Sequence, residues 1–149
     1  MSVQTQQQVG NRAFAEVYAE VQQFYARQMY LLDTGDAEQW AATFTEDGSF
    51  APPSAPAPIR GRETLAAGAK RAAQELAEAG QRHRHLLLAI DVEPQQDDSL
   101  VVRSYAQIVA TPRGGESRIH LMCETHDVLV RDGDRLLVKD RRVTRDDQD

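Results

Sequence analysis

The chain has 149 residues, the size of one ordinary domain, and 41% of them are hydrophobic. Its net charge of −6 and its single cysteine argue against a nucleic-acid partner, an intramolecular disulfide and a cysteine-rich zinc site. Since no apolar run approaches a membrane span and no secretory signal pattern opens the chain, we expect a cytoplasmic protein that does not enter a membrane.

The first part of the chain predicts a tail and two helices. Residues 1–10 are Gln-rich without periodicity, so we expect a flexible N-terminal tail. From about Asn11 to Asp33, apolar residues recur at steps of three and four, which is typical of a long amphipathic helix. Asp36 then begins a capping-box pattern, which predicts a short second helix that carries Trp40, Ala41 and Phe44 inward.

A short strand and a third helix are predicted next. The strand covers Ser49–Ala51 and is followed by a proline-rich segment over residues 52–58, which indicates a stiff loop because proline lacks a backbone donor. Ile59–Glu63 leads into the third helix, which ends at about Ala79 before Gly80. Its apolar side is mostly alanine, which favours close packing against another layer.

The last part of the chain has the period of two that is typical of strands. Four long strands joined by short turns predict an antiparallel meander: Arg82–Glu93, Leu100–Thr111, Ser117–Val130 and Arg135–Thr144. With the helices grouped before the strands, the fold class is α+β. Leu86, Leu88, Ile90 and Val92 are expected on one face, with Leu87 and Ala89 on the other. We therefore expect the helices to cover one face and a second subunit the other, in a homodimer.

Several segments resemble a known family. The stretch from Tyr30 to Phe50 is similar to the opening motif of SnoaL-like proteins, which belong to the nuclear transport factor 2-like superfamily. Ile59–Glu63, His83–His85 and Asp127–Gly133 fit the same pattern. The resemblance covers about residues 11–145 as one domain, which leaves residues 146–149 as an acidic tail.

The resemblance implies a cone-shaped barrel: three N-terminal helices packed in a curved, mostly antiparallel sheet, with a pocket at the wide end. Members include polyketide cyclases, scytalone dehydratase, ketosteroid isomerase and limonene epoxide hydrolase. Other members are non-catalytic binding or assembly domains, so the fold alone does not decide the function.

Three residues are catalytic candidates. From spacing alone, Asp33 is a helix-end residue that caps a turn; the resemblance implies a catalytic or pocket-lining carboxylate. His85 can act as an acid or base if its strand faces a cavity. From the residues alone, this role and that of an ordinary strand histidine are equally supported. The resemblance favours the functional alternative and adds His120 as a second histidine on a later strand.

Ligand-contacting candidates come from the aromatic residues and one strand face. Tyr30 could present its hydroxyl to a ligand, whereas Phe50 stands where scytalone dehydratase-like members have a tyrosine. The full set of substrate-binding candidates is Tyr25, Tyr30, Trp40, Phe50, Met122 and Glu124. His83 and His85 could share a metal, but no third ligand is in obvious register. Because the resemblance also implies a superfamily that mostly works without metals, we expect no metal and no cofactor.

Three functions are compatible with these observations. The favoured one is a cofactor-independent cyclase, dehydratase or isomerase that acts by acid–base catalysis on an apolar, oxygenated, polyketide-like intermediate. The Ala-, Arg- and Asp-rich composition is typical of high-GC actinobacteria, where such proteins serve antibiotic biosynthesis. The second is a non-catalytic ligand-binding or assembly partner of another enzyme. The third is an epoxide hydrolase, for which Arg103 and Asp140 would supply the charged network.

Overall fold

Three helices form in the predicted places. A computed structural model describes residues 8–9, 12–53 and 55–148. Helix α1 spans Phe14–Asp33, α2 spans Ala37–Ala41 and α3 spans Arg62–Glu78. The predicted cap of α2 is present, because the Asp36 side chain accepts a hydrogen bond from the Gln39 amide.

The sheet has more strands than the four-stranded meander that we predicted. A small hairpin pairs β1 (Gln8–Val9) with β2 (Arg12–Ala13), and the remaining residues of the predicted tail lie outside the described part of the chain. The main sheet contains six strands: β3 (Phe44–Ala51), β4 (Ile59–Arg60), β5 (Gln81–Pro94), β6 (Leu100–Pro112), β7 (Arg118–Asp132) and β8 (Arg135–Arg145).

The order of the strands explains the shape of the fold. The six strands run in the order β4-β3-β8-β7-β6-β5, and every neighbouring pair is antiparallel except β3 and β8. The sheet curls around α1 without closing, so β4 and β5 are its edges. The predicted α+β class and the curved, mostly antiparallel sheet are confirmed.

Phe44 belongs to a strand and not to the second helix. The predicted strand at Ser49–Ala51 begins at Phe44, whose ring is fully buried and which pairs with Val138 of β8. The pairing shifts register between Phe44 and Ser49, and Gly48 lies in this bulge. A Cβ on Gly48 would come within 3.0 Å of the Thr45 carbonyl oxygen, so this close approach requires glycine.

A bulge in β5 overturns the predicted alternation of its side chains. Ala89 has a φ of 53°, and the pairing with β6 shifts between Leu88 and Asp91. As a result Leu86 and Leu88 are exposed on the outer face, whereas Ile90 and Val92 are buried on the inner face. The four residues therefore do not share one face, because the extra residue reverses the alternation.

The core lies between α1 and the inner face of the sheet. Val17, Val21 and Tyr25 of α1 pack against buried strand residues that include Val102 and Leu129. Cys123 is also buried on this face, and desolvation raises the pKa of its thiol. In the described part of the chain, no helix has the length and apolar character that a bilayer crossing requires.

Candidate active site

A cleft of about 890 Å³ opens between the end of α1, the face of α3 and the start of β5. The alanine side of α3, with Ala69, Ala72, Ala73 and Ala77, forms one wall. We predicted close packing for this side, but only Leu65 of α3 is buried. Because alanine side chains are short, they leave the space between the helix and the sheet open.

Asp33 is held at the cleft by the end of α1. The helix stops there because Gly35 adopts a φ of +80° and the Asp36 amide donates back to the Leu31 carbonyl. The side chain of Asp33 is only 8% exposed, and Asp33 is one of the cleft residues. The end of the helix thus places the Asp33 carboxylate in the wall of the cleft, where it is largely shielded from solvent.

His85 reaches the same point from β5. Its strand alternates exposed arginines with half-buried histidines, so His83 and His85 lie on the inner face while Arg82 and Arg84 are exposed. His85 pairs with Ile108 of the neighbouring strand, which fixes its position along the sheet. The structure therefore places the two histidines on one face of the strand, as their i, i+2 spacing predicts.

Asp33 and His85 make two hydrogen bonds. The ring Nδ1 of His85 lies 2.6 Å from Asp33 Oδ1, and the backbone amide of His85 donates to Asp33 Oδ2 at 3.0 Å. An ionised carboxylate only accepts, so Nδ1 is the donor and Nε2 is the ring nitrogen left for chemistry. A carboxylate that orients a histidine in this way is a common arrangement for proton transfer.

His83 and His120 form a second histidine pair. Their ring centroids lie 4.9 Å apart, and His120 is exposed at the position where β7 shifts register against β6. Burial lowers the pKa of His83, and the nearby His120 and His85 lower it further. The structure thus places the candidate His120 against His83 and outside the residues that line the cleft.

Two of the predicted ligand-contacting residues line the cleft. Trp40 and Phe50 are both cleft residues, and their ring centroids lie 6.1 Å apart. Trp40 is held by α2 and packs edge-on against Phe44 at 5.0 Å. The cleft therefore has an aromatic wall near Asp33.

The two tyrosine candidates lie elsewhere. Tyr25 is buried, and its hydroxyl donates to Asp127 Oδ2 at 2.8 Å. Tyr30 is 68% exposed. Both line a smaller cavity of about 270 Å³ that also touches Asp33 and His85. Tyr25 therefore belongs to the core, whereas Tyr30 lies at the surface.

Met122 and Glu124 lie on the outer face of the sheet. They alternate with the buried Cys123 and Thr125, and Glu124 pairs across β6 and β7 with the exposed Tyr105. The position of these two residues does not fit the predicted contact with a ligand in the cleft. The bulge at His120 explains the difference, because it breaks the alternation on which the prediction depended.

A buried charged network, which the sequence pattern does not predict, lies inside the sheet. Arg141 donates to both oxygens of Asp127 at 2.9 and 2.8 Å and to Gln28 Oε1 at 2.7 Å, and Gln28 donates to Thr43. Burial opposes the charge of Arg141, but Asp127 outweighs it and keeps the pKa of the guanidinium raised. Burial and the Asp127 charge raise the pKa of Tyr25 well above its ordinary value.

The residues considered for an epoxide hydrolase do not form its network. Arg103 pairs with Asp91 on the exposed surface, whereas Asp140 accepts a hydrogen bond from Ser49. Among the described residues, no three His, Cys, Asp or Glu side chains are close enough together to hold a metal ion.

Comparisons with known proteins identify related sequences and structures. The model of the SnoaL-like domain matches residues 13–142. No curated protein matches the chain. The structure of ActVI-ORFA from Streptomyces coelicolor superposes with a TM-score of 0.83 at 31% identity, covering 91% of this chain and 98% of that protein.

Two further solved structures are similar over most of their length. Aln2 from a Streptomyces species gives a TM-score of 0.80 at 34% identity, covering 89% of this chain and 92% of Aln2. A Catenulispora acidiphila protein solved in complex with S-DNPA gives 0.76 at 36% identity, covering 89% of this chain and 95% of that protein. That relative binds a small molecule.

Proposed function

Because the chain belongs to the SnoaL-like domain family, we propose that it is a cofactor-independent cyclase, dehydratase or isomerase of an oxygenated, polyketide-like intermediate. The observation that carries the proposal is the pair of contacts between Asp33 and His85 in the wall of an open cleft. The S-DNPA complex of the Catenulispora relative supports a small-molecule ligand. The matches to ActVI-ORFA and Aln2 support a role in antibiotic biosynthesis.

His85 is the proposed acid–base group, and Asp33 is its positioning residue. The Nε2 atom of His85 removes a proton from the carbon next to a ligand carbonyl, and the C–H electrons move into a C=C bond as the carbonyl becomes an enolate. Asp33 stabilises the imidazolium that forms. In a dehydration, the proton goes to a hydroxyl whose C–O bond breaks as the enolate electrons form a new C=C bond, and water leaves. In an isomerisation, the proton goes to a different carbon. In a cyclisation, the enolate carbon attacks a second carbonyl, and the oxygen of that carbonyl takes the proton.

The open cleft favours an enzyme over a non-catalytic module. A module that serves only for assembly predicts a cavity filled by side chains. Instead Leu76, Ala73 and Ile59 line free space beside the carboxylate. Apolar walls of this kind hold a ring system in the conformation that reacts. His120 does not line the cleft, and it stands as a candidate only through its contact with His83, which does.

The proposed chemistry can be tested without the true substrate. In D₂O, a catalyst of this kind exchanges the hydrogens next to the carbonyl of 1-tetralone, and proton NMR follows the loss of their signal. We expect the protein to accelerate this exchange, and His85→Gln to remove a factor of roughly 10²–10⁴. His126→Gln is the control, because His126 contacts Glu124 away from the cleft. Exchange at the buffer rate, or equal rates in wild type and H85Q, contradicts the proposal.

We also propose that the outer face of the sheet binds a second copy of the chain. Leu86, Leu88, Tyr105 and Ile119 are exposed there, and register pairs Leu88 directly with Tyr105. Two pairs of charged groups on this face, Arg103 with Asp91 and His126 with Glu124, neutralise each other within it. An exposed apolar patch of this kind is typical of a surface that meets a second, identical one.

A further inference from the structure

The indole nitrogen of Trp40 is a buried donor that no described residue satisfies. Trp40 is 3% exposed, and its Nε1 has no hydrogen-bond partner in the described part of the chain. Buried indole N–H groups normally have an acceptor, because leaving one unpaired is unfavourable. Trp40 is also a residue of the cleft wall. The missing acceptor is therefore expected from a molecule in the cleft.

The position of the indole is fixed independently of any ligand. Asp36 caps the start of α2, and Thr43 Oγ1 donates to the Trp40 carbonyl at 2.5 Å. The ring is further held by Phe44 and Phe50, at centroid distances of 5.0 and 6.1 Å. A donor fixed in this way can select a ligand, because the side chain has little freedom to turn toward another partner.

A second unpaired polar atom belongs to the same cleft. The Oε1 atom of Gln81 is buried without a partner, and Gln81 lines the cleft at the start of β5. Trp40 and Gln81 are the two residues of the described chain that carry such an atom. Asp33 and His85 line the same cleft as these two residues. This coincidence points to a ligand with polar groups at more than one position.

We infer that Trp40 Nε1 donates a hydrogen bond to a carbonyl or phenolic oxygen of the ligand, so that the cleft selects oxygenated aromatic ring systems over hydrocarbons of the same shape. The inference depends on the proposed function only in requiring a small molecule in the cleft. The apolar neighbours Phe50, Leu65 and Ile59 contact the rings, and the indole sets the direction in which the oxygen points.

The test uses NMR of the full-length protein. Trp40 is the only tryptophan, so ¹⁵N-labelled protein gives one indole N–H signal. Titration with 1-tetralone is expected to move this proton downfield, whereas tetralin, which has the same rings without the carbonyl, gives only the ring-current shift. Trp40→Phe is expected to bind 1-tetralone about 2- to 12-fold more weakly and tetralin equally well. Phe50→Leu, which removes no polar atom, is expected to weaken both compounds alike.

The outcomes separate this inference from the proposed function. Equal shifts with the two compounds, no binding of 1-tetralone, or equal affinity in wild type and W40F overturns the role of Trp40. If the indole signal shifts as expected but H85Q does not alter the hydrogen exchange of 1-tetralone, the role of Trp40 stands and the proposed catalysis fails. If exchange depends on His85 while the indole does not respond, only the role of Trp40 fails.

Discussion

Asp33 and His85 lie 52 residues apart in the chain and are joined by two bonds, one to the ring and one to the backbone of the histidine. The backbone bond fixes the carboxylate against β5, and the ring bond then fixes the imidazole against the carboxylate. Any shift of the end of α1 relative to β5 must change both hydrogen bonds. The geometry of the proposed catalytic pair is thus set by the packing of a helix against a sheet edge.

The buried pair of Asp127 and Arg141 is expected to dominate the stability of the sheet. Both side chains are almost fully buried. Arg141→Met leaves the Asp127 carboxylate without its charge partner, which costs about 3–5 kcal/mol. Tyr25→Phe removes one hydrogen bond from a carboxylate that keeps its arginine, so about 1.5–3 kcal/mol is expected. Urea unfolding of the three proteins measures the difference, and equal losses in the two variants would contradict this ranking.

His83 is expected to titrate below its usual pKa of 6.5. Burial is the main cause, and the neighbouring His120, His85 and Arg118 add to it, while Asp33 opposes them. Between the folded pKa and 6.5 the unfolded chain binds more protons, so this contribution to stability is present above about pH 6.5 and is lost as the pH falls below it. NMR titration of the histidine signals measures the shift.

A variant of the neighbouring histidine, His120, serves as the control for this titration. His120→Gln removes one positive neighbour, so the pKa of His83 is expected to rise part of the way toward 6.5. Because His83 remains buried in this variant, we expect its pKa to stay below 6.5. A pKa of His83 that lies at or above 6.5 in the wild type would contradict the described packing.

The alanine face of α3 is expected to set the size of the ligand. Ala73 lines the cleft, and Ala73→Leu adds a side chain to that free space. We expect binding of 1-tetralone to weaken at least several-fold while the midpoint of thermal unfolding changes little. Ala67→Leu is the matched control, because Ala67 is exposed on the same helix and does not line the cleft. Equal binding by the two variants argues against ligand entry at this wall.

The outer face of the sheet is expected to control the oligomeric state. Tyr105 is 53% exposed on that face and pairs in register with the exposed Leu88. Tyr105→Glu places a charge against its own symmetry mate, so light scattering is expected to give a dimer for the wild type and a monomer for the variant. Gln95→Glu, in the turn before β6, is the control and should remain dimeric. A monomeric wild type would refute this interface.

The helices were predictable because their signals are local. The capping pattern at Asp36 acts within a few residues and has the predicted effect, and Gly35 ends α1 in an equally local way. The long strands were also predictable, because hydrophobic alternation and turn residues identify them. The parallel pairing of β3 with β8 was not, since it joins segments about 90 residues apart and depends on tertiary packing.

Errors in the predicted site trace to the bulges. An extra residue at Ala89 and another near His120 reverse the alternation of side chains, and neither position carries a sequence signal such as glycine. Met122 and Glu124 were misplaced for this reason. The ion pair of Asp127 with Arg141 left a weak signal in the sequence. Asp127 lies on the buried face of its strand, and a charge at such a position indicates a charged partner.

The most direct test of the account is a double-mutant cycle on the hydrogen exchange of 1-tetralone. The exchange rate is measured for the wild type, Asp33→Asn, His85→Gln and the double variant. If Asp33 acts only by orienting His85, the double variant loses no more rate than H85Q alone, because residues that act as a unit are not additive. Losses that multiply would show that the two residues act independently and would contradict the proposed pair.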